Sequence, residues 1–149
     1  IKAFIHSLVV NRRMDEEYEN LVNPNKFAAF LRTELGQRMK KAALSGRMYR
    51  ERQFITGFPA GTLKSEYSGC SDIILVQGII DCCFEEDGEM VIVDYKTDRV
   101  LKGKKGEEEL RSRYSIQLDY YAKALSRLTG LNVKEKIIYS FTLGYAIDV

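Results

Sequence analysis

Residues 72–97 read DIILVQGIIDCCFEEDGEMVIVDYKT. Two runs rich in Val, Ile and Leu flank Asp87-Gly88, and an Asp-Gly pair between apolar runs is a strong short-range hairpin signal. Strand side chains alternate faces with a period of two, so Asp94 and Lys96, at the end of the second run, point the same way. Burying an acid and a lysine is costly unless they are paired or used. If the loop is the two residues Asp87-Gly88, Glu86 lies opposite Glu89 and Asp81 opposite Asp94. A four-residue loop gives the same pairing, and a three-residue loop breaks it.

Directly opposed side chains have Cβ atoms about 4.5–5.5 Å apart, and like charges at that spacing destabilise a sheet. Two carboxylates facing each other at the end of buried strands therefore call for a cation. Magnesium takes oxygen ligands, keeps several waters and needs only one or two protein carboxylates. A lysine one step along the same face is placed to orient a water or to stabilise developing negative charge. Two acids and one lysine on adjacent strands suit metal-assisted hydrolysis of a phosphodiester. The structural alternative is an exposed hairpin end with an ordinary Asp–Lys ion pair.

Around the hairpin, IKAFIHSLVV (1–10) carries Ile1, Ile5, Leu8 and Val9 at helical spacing. In NPNKFAAFLRTELGQRMKKAAL (23–44), Asn23 is a cap and Pro24 suits a first helical position. Phe27, Phe30, Leu31, Leu35 and Met39 form one stripe, and Gly46 is a stop. Met48 to Phe58 has strand character, and a Gly/Pro/Ser-rich connection spans Gly57 to Gly69. LKGKKGEEELRSRY (101–114) reads as a polar, glycine-broken connector. IQLDYYAKALSRLTG (116–130) reads as an amphipathic helix with Leu118, Tyr121, Ala122, Leu125 and Leu128 on one face and Gly130 as its stop. KEKIIYSFTLGYAIDV closes with one or two strands. Interleaved strands and helices favour a mixed sheet covered by helices.

The 149 residues fit one domain with a sizeable core, and a formal net charge of +2 does not by itself mark a nucleic-acid binder. No apolar run approaches the roughly 20 residues that span a bilayer, and no signal-peptide pattern opens the chain. Cys70, Cys82 and Cys83 are odd in number and lack CxxC spacing, so neither a disulfide framework nor a zinc site is indicated. Reduced thiols in a cytoplasmic protein are expected. The chain enters an apolar-periodic segment directly at Ile1, which suggests a piece of a larger protein.

Three motifs carry a family resemblance: GIID (78–81), DYKT (94–97) and QLDYY (117–121). In this order they resemble the PD-(D/E)xK nuclease superfamily. They are closest to the RecB-type domains of the AddA kind found in AddAB helicase–nucleases, which show GxxD, DYKT and QxxxY. YRERQF, RYSIQLDYYAKAL and YSFTLG extend the likeness over nearly the whole chain. The resemblance implies Asp81 and Asp94 as metal ligands, the Tyr95 carbonyl as a further ligand and Lys96 as the catalytic lysine. Gln117 and Tyr121, four apart on one helical face, would lie beside the site and approach the DNA backbone, though Tyr121 also fits plain core packing. Glu51 matches a glutamate of the family pattern.

The resemblance also implies a restriction-endonuclease-like α/β fold over residues 1–149, with helices on both sides of a central mixed sheet and the site at one end of the hairpin. It implies Mg2+, with Mn2+ as substitute, DNA as substrate in the form of a single strand from an unwound end, an AddB-like partner, and ATP for the parent's motor only. AddA-type domains begin with a helix bearing GTxxH, whose histidine is another metal ligand. This chain has no GTxxH, and His6 in FIHSLVV matches the segment after that helix, so the histidine is expected upstream of Ile1. Lys102, Lys104 and Lys105 could touch DNA phosphates, as could Arg111 and Arg113 ahead of the motif helix. The expected function is metal-dependent DNA cleavage in double-strand-break processing. The alternative is a catalytically incomplete domain that binds DNA or a partner.

Overall fold

The computed structural model describes residues 1–63, 65–67, 69–70 and 72–149. Four helices come first: α1 (Lys2–Val10), α2 (Glu16–Glu19), α3 (Pro24–Arg32) and α4 (Glu34–Leu44). Strand β1 (Met48–Pro59) leads to α5 (Ala60–Leu63) and a 3-10 turn (Ser65–Tyr67), then to β2 (Ile73–Glu86) and β3 (Glu89–Lys96). Helix α6 (Lys104–Thr129) precedes β4 (Val133–Ser140) and β5 (Tyr145–Asp148).

The five strands form one sheet in the order β1-β2-β3-β4-β5, antiparallel except between β3 and β4. A parallel pair needs a long crossover, and α6 supplies it. On the α6 side the core gathers Phe54, Ile80, Ile92, Leu118, Leu125 and Ile138. On the other side Phe30, Leu35 and Met39 of α3 and α4 cover Cys82, Phe84, Val91 and Tyr139. The α/β architecture expected from the sequence is the one observed. No helix of the described residues is long and apolar enough to cross a membrane.

The hairpin turn is two residues long, with Glu86 opposite Glu89. Asp87 (φ 56°) and Gly88 (φ 79°) are both left-handed, which this tight turn demands and which Asp and Gly tolerate best. Cys82 and Cys83 are buried on opposite faces of β2, and all three cysteines are free thiols. Burial pushes the Cys82 thiol up to about 12 and the Cys83 thiol up to about 11, so both stay protonated at neutral pH.

Three sequence expectations need correction. The segment 23–44 is two helices, because Thr33 leaves the helical region (ψ 159°) and its hydroxyl accepts the Gly36 amide at 3.0 Å as the cap of α4. Phe27 and Leu31 consequently fall on an exposed surface while Phe30, Leu35 and Met39 are buried. The stretch 101–114 is mostly helix, since α6 starts at Lys104 and buries Leu110 in the core. Leu128 is exposed near the end of that helix. Finally, β1 runs through Gly57 to Pro59, where a connection was expected, and Lys64 and Ser68 of that stretch lie outside the described residues.

Arg38 of α4 ties the layers together. It donates to both carboxylate oxygens of Glu86 (3.0 and 2.7 Å) and both of Glu135 (2.9 and 2.7 Å), while Lys134 sits 2.9 Å from Glu86. The Arg38 hydrogen bonds hold the Glu86 carboxyl down at about 2, against an ordinary value of 4.5. A depressed carboxyl contributes stability above its unfolded pKa and loses it as pH falls through the folded one. Arg38→Met is therefore expected to lower the urea midpoint at pH 7, and the deficit to shrink as pH drops from 4.5 towards 2. A deficit that stays constant with pH would contradict the pairing. At Gly36 a Cβ would stand 2.2 Å from the Phe30 carbonyl oxygen, so glycine is what lets α4 abut α3. Gly36→Ala should cost about 1–3 kcal/mol in equilibrium unfolding.

Candidate active site

The β2–β3 ladder ends at Cys82 opposite Val93. Beyond it Asp94, Tyr95 and Lys96 pair only with β4, so β2 and β3 part company at this point. Asp81 sits at the fork, and its Oδ2 accepts the Tyr95 amide at 3.0 Å. The carboxylate thus takes the place of the strand carbonyl that a continuing ladder would have offered.

The fork coincides with a change of pleat. Before it, Val76 and Ile80 of β2 and Phe54 and Phe58 of β1 face the α6 core. After it, Cys82 and Phe84, and Met48 on β1, face α3 and α4, although all occupy even positions. The β1–β2 pairing keeps one register on both sides, from Arg50 opposite Cys82 to Arg52 opposite Ile80. One residue in each strand, Glu51 and Asp81, is thus out of phase, and Glu51 has a left-handed φ of 49°. Such extra residues re-aim side chains and sharpen the local bend. A cavity of about 380 Å3 opens here, lined by Phe27, Phe30, Arg50, Glu51, Asp81, Tyr95 and Phe141.

Asp94 is 2% exposed, on the α6 side of β3. Lys96 Nζ lies 2.6 Å from its Oδ2, an ion pair by distance. The Oδ2 atom is buried, and the Lys96 ammonium is the cation that meets it. Burial pushes the Asp94 carboxyl above its ordinary range, Lys96 draws it back, and Asp81 and Asp98 add to the rise. The structure therefore brings Asp81, Asp94, Tyr95 and Lys96 together at one end of the hairpin.

Helix α6 brings the third motif to the first. Gln117 donates to the Tyr121 hydroxyl at 2.7 Å. The Tyr121 ring meets Phe54 edge-on at 5.5 Å, and a Cβ at Gly78 would stand 3.0 Å from Tyr121 and 3.1 Å from Phe54. The glycine of GIID is the room that the last residue of QLDYY needs. Tyr121 thus serves core packing as well as lying at the motif.

Two residues escaped the sequence reading. Tyr114 lies three residues before Gln117, with its ring 4.1 Å from Lys96 Nζ, and its hydroxyl donates to Asp98 at 2.8 Å. The signal was the helical spacing, hidden because 101–114 read as a connector. Arg113 is held by Asp98 and Glu109, both at 2.6 Å, and Asp98 stays ionised below the usual range: burial opposes this, and the bonds from Tyr114 and Arg113 outweigh it. Lys102, Lys104, Lys105 and Arg111 are exposed and have no acidic partner within 4 Å among the described residues. His6 pairs with Glu19 at 3.0 Å on the outer surface of α1 and α2 and does not line the cavity at the fork.

Comparison with known proteins assigns the family. The family model of the PD-(D/E)XK nuclease superfamily matches residues 6–146. The chain is 36% identical to an ATP-dependent helicase/nuclease subunit of Lachnoclostridium phytofermentans, covering 100% of this chain and 13% of that protein. It is 39% identical to the protein of the same name in Clostridium botulinum (100% and 11%) and 40% identical to that of a Thermoanaerobacter species (99% and 12%). The chain spans about an eighth of the length of the curated relatives it matches. With a family match over nearly its full length, the chain belongs to the PD-(D/E)XK nuclease superfamily.

Proposed function

We propose that this chain cleaves DNA phosphodiesters with a divalent cation, as the nuclease module of an ATP-dependent helicase–nuclease that processes double-strand breaks. The observation that carries the reading is the buried Asp94 carboxylate at the strand fork, near Asp81 and ion-paired with Lys96 at 2.6 Å. Asp81, Asp94 and the Tyr95 carbonyl would hold the ion, Mg2+ with Mn2+ as substitute. An oxygen-only donor set of two carboxylates and a main-chain carbonyl fits a hard cation that keeps several waters. When bound, the ion would supply Lewis-acid polarisation of a phosphoryl oxygen and a more acidic water.

The chain's own residues do the rest. Lys96 orients the attacking water and offsets negative charge as the phosphorus becomes five-coordinate. Gln117 and Tyr121 brace the fork from α6 and face the DNA backbone. Exposed Lys102, Lys104, Lys105 and Arg111 meet phosphates without reading sequence. Arg113 is committed to Asp98 and Glu109 and is left out of that contact.

The names of the relatives join a helicase to a nuclease, and the proposed substrate is a single strand from an unwound end, cut exonucleolytically. Those names, of an ATP-dependent helicase/nuclease subunit, support ATP consumption by the parent's motor and a partner subunit; an AddB-like partner and a cytoplasmic setting belong to the proposal. In this reading residues 1–149 are one nuclease domain, and the histidine-bearing first motif helix comes from the longer protein. One observation favours a second reading: no group of three or more His, Cys, Asp or Glu side chains among the described residues could hold a metal ion. A catalytically incomplete domain that binds DNA or a partner would look the same.

Two measurements separate the readings. Calorimetric titration with Mn2+ is expected to show binding that disappears in Asp94→Ala; no heat from the unaltered chain would overturn the metal site. Cleavage of single-stranded DNA with Mg2+ is expected to fall roughly 10²–10³-fold in Lys96→Met. Ion binding without any cleavage would establish the second reading instead.

A further inference from the structure

We infer that Tyr114 is a positioning residue for Lys96: its ring face holds the ammonium beside Asp94, and Asp98 holds the ring. The inference rests on the proposed catalytic role of Lys96. A lysine ammonium ends a flexible four-carbon stem with many rotamers, so a fixed location has to be imposed from outside. Here Nζ lies 2.6 Å from Asp94 Oδ2 on one side and 4.1 Å from the centroid of the Tyr114 ring on the other. A cation over an aromatic face is attracted by the ring quadrupole, more strongly where water is excluded, and the Lys96 side chain is 15% exposed.

The ring is itself fixed. The Tyr114 hydroxyl donates to Asp98 Oδ1 at 2.8 Å, and Arg113 Nη1 donates to the same oxygen at 2.6 Å. Arg113 is anchored to Glu109 one helical turn back. Asp98 follows Lys96 by two residues, so the chain that carries the lysine also carries the clamp on its aromatic partner. Asp94 cannot serve the lysine and a cation equally. Were a divalent cation bound at Asp94, it would compete for the carboxylate oxygen and not for the tyrosine face, so the ring would keep its hold on Nζ. Tyr114 therefore fixes where the ammonium stands when it is needed. On α6 it extends the third motif backwards to Tyr114, Gln117 and Tyr121, along one face of the helix.

The test combines a geometric readout with a kinetic one. Ring current should displace the Lys96 ε-methylene signal upfield in the unaltered chain, the signal being identified by its loss in Lys96→Met. Tyr114→Phe, which keeps the face, should retain the displacement and most of the activity. Tyr114→Leu should return the signal to the ordinary lysine position and lower kcat on single-stranded DNA roughly 5- to 30-fold with KM unchanged. Tyr114→Met, whose unbranched side chain adapts to irregular gaps, replaces it if the leucine variant does not fold. An undisplaced signal in the unaltered chain would overturn the inference, as would full kcat in Tyr114→Leu while Lys96→Met is inactive. Lys96→Met cleaving like the unaltered chain would instead overturn the catalytic reading of the lysine itself.

Discussion

One main-chain amide governs this structure. The N–H of Tyr95 is the first donor of β3 beyond the β2 ladder, and it is met by the side chain of Asp81 instead of a carbonyl. A buried amide left unpaired costs about as much as a lost hydrogen bond, so the strands can separate here only because an acceptor reaches across the gap. Their separation leaves Asp94 buried at the fork, with its carboxylate met by Lys96. The proposed chemistry, the positions of its groups and the open cavity all follow from that substitution.

The second half of the site comes from packing. Gly78, Phe54 and Tyr121 interlock on the α6 face of β1 and β2, which fixes the rotation of the helix about its own axis. Once that rotation is set, Gln117 and Tyr114 are carried to the fork by helical spacing alone. Leu110 and Gly106 hold the first turns of α6 down; a Cβ at Gly106 would stand 1.9 Å from the Leu101 carbonyl oxygen. The loop after Lys96 is thereby pinned between β3 and the helix.

Much of this was legible in the residues. Asp87-Gly88 determined the hairpin register, but the pairing stops at Cys82 opposite Val93, so the expected direct opposition of Asp81 and Asp94 is not part of the ladder. Asn23 and Gly130 marked helix ends that the structure has. What could not be read was tertiary. Nothing local in ELG announces that Gly36 lets two helices abut, and the glycines and charges of 101–114 outweigh the single buried Leu110 in any periodicity count. The pleat reversal at Glu51 and Asp81 is invisible because both strands insert a residue at the same step, leaving the pairing unchanged. The family likeness points to the acids and the lysine; that Tyr114 and Asp98 lie beside Lys96 is visible only in the folded chain.

The reversal at the fork also divides the sheet by its capacity to open. Below it, β2 is flanked on both edges and covered on both faces. Above it, residues 52–59 and 73–80 form a two-stranded ribbon covered by α6 on one face, with Ile55, Ile73, Leu75 and Ile79 exposed on the other. Segments with few buried contacts and solvent-facing backbone bonds exchange their amides earliest, through fluctuations that leave the rest folded. Asp81 stands on the border between the two regimes, yet its carboxylate is tied to the amide of β3, on the lasting side. Breathing of the ribbon therefore leaves the acid in place, and the site's geometry outlives the motion of the strand that delivers half of it.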